Sequence, residues 1–276
     1  MKDTARPPET PRLVEMHSLG IGKSSTVPIS MATGVVMVML WWFVAQTGSV
    51  QHLFLPTPVE VLTTAKAIFQ EGYANGTLWE HVSASLTRIL VALAIAVTLG
   101  LPVGIAMGLN RWAKGIFDAP IELYWPLPPL SYLPLMIIWL GIGETSKIVL
   151  IALAMFAPVV LSAQAGVRNL PIERVNAALS LGATRWQLLC DIVFLSALPD
   201  IMTGIRIALG IGWSTLVAAE LIAATRGIGY MTMSASHFLA TDAVFVGIGI
   251  IAACALGFSL IMRWLERVLV PWRGKN

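Results

Sequence analysis

The chain has 276 residues, 57% of them hydrophobic and only 12% charged. Soluble domains carry about 25% charged residues, which argues against a water-soluble fold; at about 20 helical residues per bilayer crossing there is room for six spans with short connections. A net charge of +3 and a pI near 9.0 could suggest nucleic acid, but the basic residues are distributed as in membrane proteins, so no nucleic-acid partner is expected.

The cysteines, Cys190 and Cys254, have no CxxC spacing, and His17, His52, His81 and His237 are scattered. Neither a disulfide framework nor a zinc or haem site is supported, and no catalytic constellation is present, so no cofactor or enzyme activity is expected on this chain.

Residues 1–27 are polar and read as a flexible tail, without the short apolar core of a cleavable signal. Gly22-Lys23-Ser24 is not a phosphate loop, because position 17, where that motif needs a glycine, is His17. The first expected span is 28–47, uncharged, with Trp41 and Trp42 as interfacial anchors. Leu55-Pro56-Thr57-Pro58 breaks the polar segment 48–80, and 59–70 is expected as a surface helix. The second span is expected at 89–109, between Arg88 and Arg111, with Gly100, Gly104 and Gly108 forming a small-residue stripe for close helix approach and Pro102 bending it. The third, 123–143, is crowded by Pro126, Pro128, Pro129 and Pro134. A regular helix breaks there, as a pathway-lining segment or a distorted entry at the membrane surface. The fourth is 148–167, kinked by Pro158; the fifth, 201–223; the sixth, 243–262. No internal repeat is visible, which weighs against transporters built from two similar halves.

Between the fourth and fifth spans lies an amphipathic interruption, 168–199. Pro171 suits an early helical position, and Ile172, Val175 and Leu179 fall on one face at steps of three and four. Gly182 is expected to stop this helix, and Thr184-Arg185-Trp186-Gln187 to open the next as a capping box. A short helix held between two spans offers a handle to a soluble partner.

Lys2, Arg6, Arg12, Lys23, Arg111, Lys114, Arg168, Arg174, Arg185, Arg206, Arg263, Arg267, Arg273 and Lys275 all fall on one side of a six-span arrangement. Lys66, Lys147 and Arg226 fall on the other, with Arg88 at the edge. The richer side is the cytoplasm, which places both termini (tails at 1–27 and 269–276) and the interruption there. The fifth span carries Arg206 and Glu220, about 21 Å apart along the helix and unable to pair. Glu220 is either a pathway residue or a structural partner of Arg88, Lys147 or Arg226. Ser214 and Thr215 are small hydroxyls near mid-membrane, and Gly204, Ala208 and Gly212 form a second close-approach stripe.

Ala177-Ala178, followed by Gly182 and Ile192, resembles the EAA loop of ABC importer permeases, with Asn176, Phe194 and Leu195 where that family usually has Glu, Leu and Pro. The runs Glu122 to Lys147 and Gly212 to Gly227 resemble the nitrate, sulfonate and taurine branch of these permeases, its taurine members above all. The resemblance covers about 35–272 and implies the type I importer fold: an all-α polytopic membrane protein with six transmembrane helices, its permease domain spanning 28–268. It implies a bacterial inner-membrane subunit that moves taurine or a related alkanesulfonate, or another small anion such as nitrate, into the cytoplasm by alternating access. Implied partners are a second copy of the chain, a cytoplasmic ABC ATPase dimer that binds the ATP and magnesium, a periplasmic substrate-binding protein and the lipid bilayer. Asn176, Ala177, Ala178, Leu179, Gly182 and Ala183 are then the candidate ATPase-coupling residues. Trp139, Lys147, Ser214, Thr215, Glu220 and Arg226 are the candidates for the translocation pathway.

Overall fold

The computed structural model describes residues 27–48, 51 and 53–271. The expected N-terminal tail, Val27 apart, and residues 272–276 of the expected C-terminal tail lie outside the described residues. The fold is all-α; among the described residues the only β feature is an isolated bridge between Tyr73 and Gly76. By length and composition five helices can cross a membrane, and a bent helix pair brings the number up to six.

The chain divides into two units at Val50 and Gln51. The first holds α1, Val27–Gln46. It has no charge and no polar stripe, and Met31, Val35, Met39 and Phe43 are all exposed, a surface that suits lipid.

In the second unit, α2 (Pro58–Glu71) and α3 (Leu78–Leu109) each open on a complete capping box, Thr57 with Glu60 and Thr77 with Glu80. The box at Thr77 starts α3 well before the expected Ile89, so Arg88 is no boundary residue but lies inside the helix. The central helix is α6, Glu144–Arg168, packed by α3 on one flank and by α9, Leu195–Ala223, on another. Both glycine stripes face α6. A Cβ on Gly104 would come within 2.4 Å of the Val160 carbonyl oxygen, and one on Gly204 within 2.3 Å of the Ser162 Cβ. With lipid outside as apolar as leucine, such close packing is what holds spans together. Ile89, Ile151, Met155, Leu209 and Trp213 fill the core among the three helices.

The third span differs from the expected 123–143. It is α4 (Arg111–Tyr124), a break, a 3-10 turn (Pro129–Tyr132) and α5 (Leu133–Leu140), bent by 93°. Prolines 129 and 134 sit in first turns, where a missing N–H costs nothing. After α6 come α7 (Ile172–Ser180), the turn α8 (Arg185–Gln187), a π-helical stretch (Leu188–Phe194) and α9. Helical structure is thus continuous from Arg185 to Ile222, starting before the expected Ile201. Finally α10 (Ile228–His237) and α11 (Thr241–Leu269) follow. Ile68 of α2, Met231 of α10 and Val246 of α11 form a second core cluster, which braces the end of the bundle where α3 begins.

Candidate functional site

Two places bring chemistry-bearing residues together, one at each end of the bundle. At the α7 end, Pro171 serves as N-cap in extended conformation, so the helix begins one residue later than Pro171 alone suggests. It ends as expected at the glycine. Gly182 has φ +83, its N–H donates to the Leu179 carbonyl, and the Ala183 N–H donates to the Ala178 carbonyl at 3.0 Å. That pair of bonds is a Schellman motif. A Cβ on Gly182 would meet nothing within 4 Å, so the position needs glycine for its backbone and not for space. Thr184 then caps α8, its hydroxyl accepting from the Gln187 N–H while Gln187 accepts from the Thr184 N–H. Asn176, Ala177 and Leu179 are exposed, and Ala178 and Ala183 are half-buried. Ile172, Leu179, Leu181 and Trp186 are exposed at 61%, 51%, 89% and 71%. This apolar surface lies on the polar interruption, and the described residues leave it uncovered.

At the α10 end a charge cluster joins α3, α6, α9 and α10, with Arg88, Lys147 and Glu220 buried and Glu144 exposed at its rim. Arg88 is 3% exposed and donates to both oxygens of Glu144, at 2.5 and 2.9 Å, and through Nη1 to Glu220. Lys147, also buried, donates to Glu144 at 2.7 Å. Two cations and two carboxylates therefore balance. Glu220, 1% exposed, also accepts from the Ser85 hydroxyl at 2.7 Å and the Gly229 N–H at 2.9 Å. The Ser85 oxygen in turn accepts the Ile228 N–H. His81 Nδ1 accepts from the Gly227 N–H and Nε2 donates to the Tyr73 carbonyl, which assigns the tautomer. Gly227 has φ +134, and a Cβ there would stand 2.5 Å from the Glu220 carboxyl carbon. The turn after α9 can close over the carboxylate only with glycine at this position.

Of the pathway candidates, Glu220, Lys147 and Arg226 thus meet in one place. Glu220 takes Arg88 as its partner, one of the alternatives the sequence left open. Lys147 points into protein, and Arg226 is exposed, 3.8 Å from Glu80, beside an open cleft of about 420 Å³ that Glu80, Thr87, Glu144 and Thr225 also line. Ser85, Glu144 and His81 escaped sequence reading because nothing in their local spacing marks them; only the fold assembles them. Trp139 lies exposed on α5. Ser214 and Thr215 both donate to the Ile211 carbonyl. Ser214, however, shares an exposed face of α9 with Ile207 and Gly210. The break in the third span opens on a cavity of about 100 Å³ lined by Tyr124, Trp125, Tyr132 and Ile211.

A family described as binding-protein-dependent transport system inner membrane component matches residues 96–272, most of the chain, including the α7 turn and the Glu144, Lys147 and Glu220 side of the charge cluster. The chain belongs to this family. It is 55% identical over 253 residues to the taurine transport system permease protein of Escherichia coli, covering 91% of this chain and 92% of that one. It is 36% identical over 238 residues to a putative aliphatic sulfonates transport permease protein of the same organism, covering 86% and 89%. The fold also matches a chain of the MetNI methionine ABC transporter in an inward-facing conformation, with a TM-score of 0.60 at 16% identity, over 70% of this chain and 96% of that one. The chain is a multi-pass membrane protein with the ABC importer permease fold.

Proposed function

We propose that this chain is the membrane-spanning subunit of an ATP-driven importer for taurine or a closely related alkanesulfonate. The observation that carries the substrate class is the 55% identity over 91% of the chain to the taurine permease protein. The lysine and arginine distribution supports an orientation with both termini and α7 in the cytoplasm. There the exposed apolar surface of Ile172, Leu179, Leu181 and Trp186 fits the groove of an ATPase subunit, with Asn176, Ala177, Ala178, Gly182 and Ala183 shaping the contact. ATP and magnesium would bind to that partner. A second copy of the chain would complete the pathway, its walls formed by the exposed α9 face at Ile207, Gly210 and Ser214 and by the broken third span. A periplasmic binding protein would deliver the substrate at the α10 end, where Arg226 and its cleft are accessible.

The test is uptake of labelled taurine in cells lacking their own taurine permease, supplied with this chain, its ATPase and its binding protein. Uptake that disappears when the ATPase is made catalytically dead is the expected outcome. Uptake that persists without the ATPase would overturn the proposal in favour of a gradient-driven carrier, and an absence of uptake with the protein in the membrane would remove taurine as the cargo.

A further inference from the structure

α11 runs on for two turns beyond its apolar stretch, and that extension has the makings of a ligand site. Between Asp242 and Arg263 lie twenty uncharged residues, about 30 Å of helix, the thickness of the hydrocarbon layer. Arg263 is therefore the first charged residue past the hydrocarbon boundary, and Arg267 follows one turn deeper among the headgroups. At a spacing of four the two guanidinium groups lie on one face. They line an open cleft of about 360 Å³ together with Glu266, Val270 and Pro271.

The acid in this cleft does not neutralise them. The Glu266 carboxylate accepts from Arg206 of α9 at 3.3 Å. Among the described residues no carboxylate pairs with Arg263 or Arg267. With Arg206 included the group carries three cations against one carboxylate. Next to the arginines, around the helix, runs an exposed apolar stripe at steps of four: Leu256, Leu260, Trp264 and Val268, each more than half exposed. Unpaired positive charge at headgroup level thus continues into an apolar track along the membrane.

We propose that the end of α11 binds an anionic phospholipid, with its headgroup phosphate between Arg263 and Arg267 and an acyl chain along Leu260 and Leu256. The apolar track distinguishes such a ligand from free phosphate, which has no use for it. The net positive charge selects an anionic headgroup over a zwitterionic one. Trp264 holds the helix end at the interface.

The experiment places the purified full-length protein in phosphatidylcholine nanodiscs, titrates in phosphatidylglycerol, and counts bound lipid by native mass spectrometry. The wild type should bind phosphatidylglycerol in preference to phosphatidylcholine. R263Q/R267Q should weaken that preference about thirtyfold, roughly fivefold for each arginine, and R263K/R267K should keep most of it. Both positions are exposed, so the variants are expected to fold, which the helical circular dichroism of each preparation checks. An unchanged preference in R263Q/R267Q overturns the proposal, as does displacement of the lipid by millimolar inorganic phosphate, which would make this a phosphate site. Lipid counting needs no transport, so its result is independent of the assigned cargo.

Discussion

Arg88 shows how a charge is kept inside an apolar bundle. Its guanidinium holds Glu144 with two bonds and Glu220 with a third, and a fourth hydrogen bond reaches the Arg226 carbonyl at 2.8 Å. Glu144 is open to solvent, but Glu220 is buried, and removing its arginine leaves an uncompensated buried charge, which costs about 3–5 kcal/mol. Arg88→Met should therefore lower the unfolding free energy in detergent by about that much, as read by denaturant titration. Arg226→Gln, at an exposed and loosely paired position, should cost no more than about 1 kcal/mol. Equal effects would show that the cluster is not structural. From sequence, Arg88 stands at the edge of a span, because a lone arginine is too costly to place inside one. Its two carboxylates come from residues 56 and 132 positions away, and no local pattern announces such distant partners. Glu220 and Gly227 were visible as members of one run, but that the glycine is there to let the turn close over the carboxylate is legible only in the folded chain.

The elements that sequence reading captured are those governed by local chemistry. The Schellman turn at Gly182, the capping box at Thr184 and the proline break in the third span each follow from a few adjacent residues. Gly182→Val forces a β-branched residue to φ +83, at a cost of about 1–2 kcal/mol or a reshaped turn. Taurine uptake should fall sharply in that variant while insertion into the membrane is retained, and Gly182→Asn, which tolerates the left-handed region, should keep most of it. Normal uptake with valine would count against the coupling role of this turn. The glycine stripes were equally visible, but not what they pack against: both meet α6, the most buried of the spans. Gly104→Ile should wedge α3 from α6, costing at least the 1–3 kcal/mol typical of overpacking, and a detergent-solubility or thermal-aggregation assay would register it. Helix ends were the least legible feature, since α3 and α9 both run past the apolar stretch that marks a span.

At the scale of the molecule, the packing divides along its length. The α10 end is a lattice of ion pairs and hydrogen bonds linking four helices, whereas the α7 end presents exposed apolar side chains on a short helix and its turn. The helical run from Arg185 to Ile222 joins the two, 38 residues or about 57 Å of helix. One end carries the turn that a partner would grasp; the other is anchored through Glu220. Such a run behaves as a lever with a fixed fulcrum, and a displacement at its free end must be absorbed where the shaft is weakest. That place is the π-helical stretch from Leu188 to Phe194, with Pro199 just beyond, where backbone bonding departs from the α pattern. Spin labels at Trp186, Ile207 and Ile222 would read this directly in the assembled transporter. The 207–222 distance should stay constant between nucleotide-free and ATP-bound states, while the 186–207 distance, which crosses the weak section, should change. A rigid shaft would show neither changing, and the motion would then have to pass through α6 instead.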